Sequence, residues 1–140
     1  MKFWDSSALV PLLVEQKHTA RMRALYRADP TQMVWWGSLV ECSSAAARLE
    51  REDRLSPPAT TTALHRLDLM ARRWQEIDPS DVIREAARRL LRSHSLRSAD
   101  ALQLAAAFSA AEQRPSTLSL ICLDDRLALA AAREGFDVVS

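Results

Sequence analysis

Four segments of this chain carry acids where chemistry could be done. Asp5 directly follows the apolar run Lys2 to Trp4, and the pair Asp124-Asp125 directly follows Leu118 to Leu123. Asp100 lies among Ala and Leu in Ser98-Ala99-Asp100-Ala101-Leu102-Gln103-Leu104, with no basic residue within four positions downstream. Glu41 sits in Ser38-Leu39-Val40-Glu41-Cys42-Ser43-Ser44-Ala45, where Ser44 and Ala45 occupy the helical positions a neutralising cation would need. Acids held together without cations select hard divalent ions, because oxygen-only donors suit Mg²⁺ or Mn²⁺. Several carboxylates around such ions form an apparatus for in-line attack at phosphodiesters.

Each acid also has a structural reading. Asp5, with Ser6 and Ser7 behind it, is a good helix N-cap. Asp124 and Asp125 precede a helical pattern, where negative charge meets the positive end of the helix dipole, worth about 0.3–1 kcal/mol. Ser98 is a candidate N-cap that places Asp100 in the first turn, and Glu41 can be the solvated flank of an amphipathic helix. An acid at the mouth of a helix that is apolar almost all round is harder to explain this way, because an unpartnered buried charge is costly.

These acids need elements to position them. Apolar runs predict strands at Lys2 to Trp4, Met33 to Trp35, Leu118 to Leu123 and Phe136 to Val139, with a weaker fifth at Gln75 to Ile77. Apolar spacings of three and four predict helices over Leu39 to Glu50, Thr60 to Trp74, Ser80 to Leu91, Ala99 to Gln113 and Arg126 to Glu134. A further helix begins at Ser6 or Ser7, and Pro11 removes one of its hydrogen bonds. Ser56-Pro57-Pro58 is the densest loop signal. Strands alternating with helices imply a parallel sheet covered by helices, and the excess of helices implies a small one. Ligands of such sheets bind beyond the carboxyl ends of the strands, which is where Asp5 and Asp124-Asp125 fall.

Composition narrows the rest. A chain of 140 residues with 48% apolar and 26% charged residues is expected to fold as one domain, residues 1–140, with its own core. Only Gly37 and Gly135 are glycines, so no Gly-rich phosphate loop exists. Cys42 and Cys122 sit in apolar contexts and read as free, buried thiols, while His18, His65 and His94 are isolated, so no zinc spacing appears. No catalytic Ser-His-Asp or Cys-His arrangement competes with the acids. Asp5 interrupts any leader-like apolar stretch, and no apolar run spans a membrane, so a cytoplasmic protein is expected. The formal net charge of +1 decides nothing about nucleic acid, and the preference for Arg, with only Lys2 and Lys17 as lysines, carries little weight.

At this point the chain resembles the PIN-domain ribonucleases, and among them the VapC toxins of bacterial toxin–antitoxin pairs. Phe3-Trp4-Asp5-Ser6-Ser7-Ala8-Leu9-Val10 looks like the family's opening strand and first acid, and Trp36-Gly37-Ser38-Leu39-Val40-Glu41 like its second-acid helix. Arg97-Ser98-Ala99-Asp100-Ala101-Leu102-Gln103-Leu104-Ala105-Ala106 is the most specific match, to the third-acid motif. Cys122-Leu123-Asp124-Asp125-Arg126-Leu127, with Gly135-Phe136 after it, looks like the fourth-acid ending. Each segment alone is a weak signal, but four in this order span the chain.

The resemblance implies a PIN-like three-layer α/β/α sandwich with a small central parallel sheet. It implies an endoribonuclease that needs Mg²⁺ or Mn²⁺, inhibition by a VapB-type antitoxin, and a homodimer. It carries Asp5, Glu41, Asp100 and Asp124 over as catalytic metal ligands, with Ser7 supporting Asp5; the spacing to Leu127 favours Asp124, and Asp125 stays open as the alternative. Pro11 departs from the family's smooth first helix. Two other readings remain. One is a PIN-like interaction module without catalysis. The other is a receiver-like phosphoacceptor domain, which needs an early acid pair and a late lysine that this chain lacks.

Overall fold

The computed structural model describes residues 1–140. Five short strands form one sheet: β1 (Lys2–Trp4), β2 (Gln32–Trp35), β3 (Gln75–Ile77), β4 (Ser119–Ile121) and β5 (Asp137–Val139). All neighbours pair in parallel, in the order β3-β2-β1-β4-β5. Seven helices connect and cover them: α1 (Ser6–Leu13), α2 (Thr19–Ala28), α3 (Ser38–Arg51), α4 (Pro57–Ala71), α5 (Asp81–Ser93), α6 (Ser98–Ala110) and α7 (Asp125–Arg133). No helix is long and apolar enough to cross a membrane.

The period-two alternation of strand side chains divides the apolar residues between two cores. Phe3, Trp35 and Leu120 face α5, α6 and α7, where Ile83, Leu90, Leu104, Phe108 and Leu127 meet them. Trp4, Val34 and Ile121 face the other way, into Leu9, Met22, Cys42 and Leu67 of α1 to α4. Each central strand is therefore apolar on both faces, as a doubly covered parallel sheet requires. The result is the α/β/α sandwich that the resemblance implied. Helix α6 is buried from Leu104 to Phe108 without a break, its small alanines letting α5 and α7 approach from either side.

Several boundaries differ from the sequence expectation for local reasons. Helix α2 escaped it, because only Met22 and Thr19 are fully buried and Arg21, Arg23 and Arg27 around them mask the period. Ser56-Pro57-Pro58 opens a helix instead of marking a loop. The Ser56 hydroxyl accepts from the Ala59 N–H at 3.2 Å, and the two prolines occupy the first turn, where no N–H is needed. Helix α6 is capped at Arg97, so Ser98 is its first helical residue and not its cap. Pro11 lies inside α1 and is buried. The Thr19 hydroxyl donates to the Pro11 carbonyl at 2.7 Å and so fastens α2 to the end of that helix.

Candidate active site

The carboxyl ends of the strands are level with one another. The Asp5 N–H donates to Ile121 O at 3.0 Å, Cys122 N–H to Val139 O at 3.0 Å, and Trp36 N–H to Ile77 O at 3.1 Å. The sheet thus delivers the segments after β1, β2 and β4 to one edge, and α6 brings its N-terminus to the same place.

Asp5 is 3% exposed and does two jobs there. Its Oδ2 accepts the Ser7 N–H at 3.0 Å as the N-cap of α1, and also accepts the Ser7 hydroxyl. The same Ser7 oxygen accepts the Leu123 N–H at 2.9 Å, so one hydroxyl ties the turn after β1 to the turn after β4. Burial raises the Asp5 pKa above the usual carboxylate range; the Ser7 bonds oppose this, and the charges of Asp100 and Asp124 add to it.

Glu41 projects from the first turn of α3. Burial pushes its pKa up to about 7, helped by the charges of Asp5 and Asp100 and opposed by hydrogen bonds from Gln103 and Ser6. The Gln103 amide donates to Glu41 Oε2 and, at 2.9 Å, to the Ser38 hydroxyl. Asp100 receives the Arg97 N–H on Oδ2 at 3.3 Å. Burial raises its pKa and Asp124 raises it further, against the Arg97 N–H bond and the charges of Arg97 and Arg126. Asp124 caps α7, its Oδ1 accepting the Leu127 N–H at 2.8 Å.

Asp100 and Asp124 are therefore close enough to raise the proton affinity of Asp5, Asp5 and Asp100 that of Glu41, and Asp124 that of Asp100. A cleft of about 480 Å³ opens onto Arg97, Asp100, Leu123, Asp124, Asp125 and Arg126. Asp125 lines this cleft but does not act on the pKa of the other three acids. Asp5 and Glu41 lie behind it, outside its lining. No three His, Cys, Asp or Glu side chains are closed into ready-made coordination of one ion. The donor set still fits Mg²⁺ or Mn²⁺, because a hydrated Mg²⁺ keeps several waters and takes only one or two carboxylates.

Sequence reasoning missed four residues here. Gln103 shows as the polar residue three positions after Asp100, on the same helical face. It is 1% exposed, and its Oε1 has no partner. Arg97 and Arg126 are the cations that Asp100 seemed to lack; one lies upstream and the other on α7, where a downstream search does not look. Cys122 packs its Sγ 3.7 Å from Asp5 Oδ2 and 3.4 Å from the Asp124 carbonyl, and burial pushes its thiol up, so it remains a neutral wall of the site.

A small doubly covered parallel sheet with acids gathered at its carboxyl edge defines a hydrolase-like α/β domain. The PIN domain family model matches residues 2–133, and the chain belongs to that family, whose members are generally nucleases. No curated protein matches it in sequence. Among solved structures, it is similar to a chain of a toxin–antitoxin complex from Klebsiella pneumoniae, with TM-score 0.67, 17% identity, and coverage of 100% of this chain and 97% of that one. It is also similar to FitAcB from Neisseria gonorrhoeae, with TM-score 0.66, 18% identity, and the same coverage of each chain.

Proposed function

We propose that residues 1–140 form one catalytic domain, a Mg²⁺- or Mn²⁺-dependent endoribonuclease that serves as the toxin of a VapBC-type toxin–antitoxin pair in the cytoplasm. The observation that carries this reading is the convergence of four acids from four separate elements at one sheet edge, with Asp5 buried and its pKa raised. The similar Klebsiella pneumoniae chain, from a toxin–antitoxin complex, supports the toxin half of it.

In this reading Asp5, Glu41, Asp100 and Asp124 hold the ions. Bound there, divalent cations activate water and neutralise charge on the phosphate. Ser7 fixes the rotamer of Asp5, and Gln103 fixes that of Glu41, so both arrive oriented. Arg97 and Arg126 stand at the mouth, where guanidinium groups meet phosphate oxygens with paired hydrogen bonds. A small antitoxin would inhibit by placing a basic side chain among the acids, relieving their repulsion and filling the space the ions need. The chain is expected to act as a homodimer, which sedimentation of the purified protein checks.

The test is incubation of the purified chain with RNA and Mn²⁺, with and without EDTA, and with the product of the adjacent small reading frame. Metal-dependent internal cleavage that the partner suppresses is expected. Absent cleavage would leave a PIN-like interaction module instead, and cleavage that survives EDTA would remove the metal assignment.

A further inference from the structure

The sheet edge that carries the acids has a second feature they do not use. Trp36 is the first residue past β2, and β2 is the neighbour of β1 in the sheet. The two strands pair in register as far as Phe3 and Met33, about one strand spacing, roughly 4.8 Å, apart, so Asp5 and Trp36 each lie just past the same end of neighbouring strands. The Trp36 N–H is held by Ile77 O, so the residue is fixed in the extension of the ladder. Its side chain is nevertheless 54% exposed, while Trp4, Trp35 and Trp74 are at most 8% exposed. Val40, one helical turn further and directly before Glu41, is 68% exposed.

The buried Trp35 lies directly beneath this turn. A Cβ at Gly37 would stand 2.5 Å from Trp35 Nε1, so the chain passes close over the buried Trp35. Trp35 meets Trp36 edge-on, with centroids 6.4 Å apart at 71°. Trp35 also lines a cavity of about 620 Å³ together with Pro79, Ser80, Ile83, Arg84 and Leu102. Leu102 lies between Asp100 and Gln103, so this cavity and the acid cleft share α6.

We propose that Trp36 is a stacking platform for a nucleobase flanking the bond held at the acid cleft, in single-stranded RNA; this rests on the nuclease reading above. Proteins that read single strands stack unpaired bases on exposed aromatic rings. Charge favours a base here. The mouth arginines Arg97 and Arg126 line the acid cleft, which Trp36 does not, and draw the phosphates there. The neutral base is the part of the strand that can rest beside Glu41 without repulsion. Trp36 is then a substrate-positioning residue that acts through binding.

The test uses a short single-stranded RNA, and copies with one abasic nucleotide stepped through each position around the cleavage point. Cleavage is measured in Mn²⁺ for the native chain, Trp36→Ala and Trp36→Phe. Stacking is worth about 1–3 kcal/mol per base, so Trp36→Ala should raise KM by about 5- to 150-fold with kcat little changed. Trp36→Phe should restore most of the loss. One abasic position should reproduce the loss in the native chain and add nothing in Trp36→Ala. Binding of the intact RNA to Asp100→Asn should quench indole fluorescence, and the further variant Trp36→Ala should abolish that quench. Quenching without cleavage by the native chain would remove the nuclease reading and keep the platform. A native KM in Trp36→Ala, full additivity with every abasic position, or an effect seen only in self-association or antitoxin binding would overturn it.

Discussion

Two concave surfaces of this domain carry opposite charge and hold it in opposite ways. The acid site gathers Asp100 and Asp124 in the cleft with Asp5 and Glu41 behind them, and burial raises the pKa values of Asp5, Glu41 and Asp100. A groove of similar size, about 590 Å³, lies among α1, α2 and α4, lined by Arg23, Arg27, Arg66, Arg72 and Arg73 with Leu12, Tyr26, Leu69 and Met70. All five of those arginines are exposed. Long hydrated guanidinium stems can move apart, and Arg66 also donates to Leu13 O at 3.2 Å. A short buried Asp cannot move, so its repulsion has to appear as proton affinity, and cations relieve it. The formal charge of +1 is a sum over the whole chain, and it conceals both surfaces.

The sharpest way to break this contrast is to remove charge on each side. Asp5→Asn and Asp100→Ala should each lower RNA cleavage by about 10²–10³-fold or more, the scale of losing one charge-stabilising group in an active site. Arg72→Ala in the groove should leave kcat unchanged. Equal losses on both sides, measured in one cleavage assay, would end the distinction. Asn at position 5 keeps the helix cap, and removing a buried acid whose pKa is raised should leave the metal-free melting temperature equal or higher.

The next largest effect separates the fourth-acid candidates. Asp124→Ala should cost most of the cleavage activity, plus about 1 kcal/mol of stability for the lost cap of α7. Asp125→Ala should cost far less of either, because Asp125 lies one helical step on, rotated by about 100°. A larger activity loss from Asp125→Ala reverses the assignment.

Gln103→Ala should reduce activity by about tenfold and destabilise the fold by about 1–3 kcal/mol, since the Ser38 and Glu41 groups it serves lose a buried partner. Its amide lowers the Glu41 pKa, so its removal should move the acidic limb of the pH–rate profile upward. A profile that falls without shifting would make Gln103 a packing residue only.

The smallest effect is the pH dependence of the metal-free protein. Glu41 titrates near 7 when folded, above its unfolded value near 4.5. Below the unfolded value it is protonated in both states and contributes nothing. As pH rises toward about 7 the unfolded state ionises first, so stability falls, and the full loss is present above that. Calorimetry from pH 5 to 8 should show this decline, and Glu41→Gln should flatten it. Mn²⁺ affinity should rise over the same range, because binding displaces the proton.

Much of the fold was legible in the sequence because its signals are local. Four apolar runs and a weaker fifth signal at Gln75 to Ile77 marked the strands, and Asp5 and Asp124-Asp125 past their ends marked the edge where ligands bind. Helix α2 and the helical start at Pro57 were hidden, since a polar helix shows almost no apolar period and Pro-Pro reads as a break until Ser56 is seen to cap it. Of the site, the acids were readable by type and order. Ser7 was readable too, as the hydroxyl two residues past Asp5. The more distant partners were not: Arg126 and Cys122 meet Asp100 and Asp5 only because β4 pairs with β1.

The amino-acid order by itself therefore determined the element types, the two-faced burial of the strands and the identity of the acids, since those follow from side-chain period and from what directly succeeds a strand. Only the tertiary structure decided which acids are buried and which line the cleft, that Gln103 holds Glu41, that Ser7 also binds the turn after β4, and that Trp36 stands exposed past the end of β2. These depend on strand order, which is set by the packing of distant segments against a shared core and leaves no trace in the spacing of neighbouring residues.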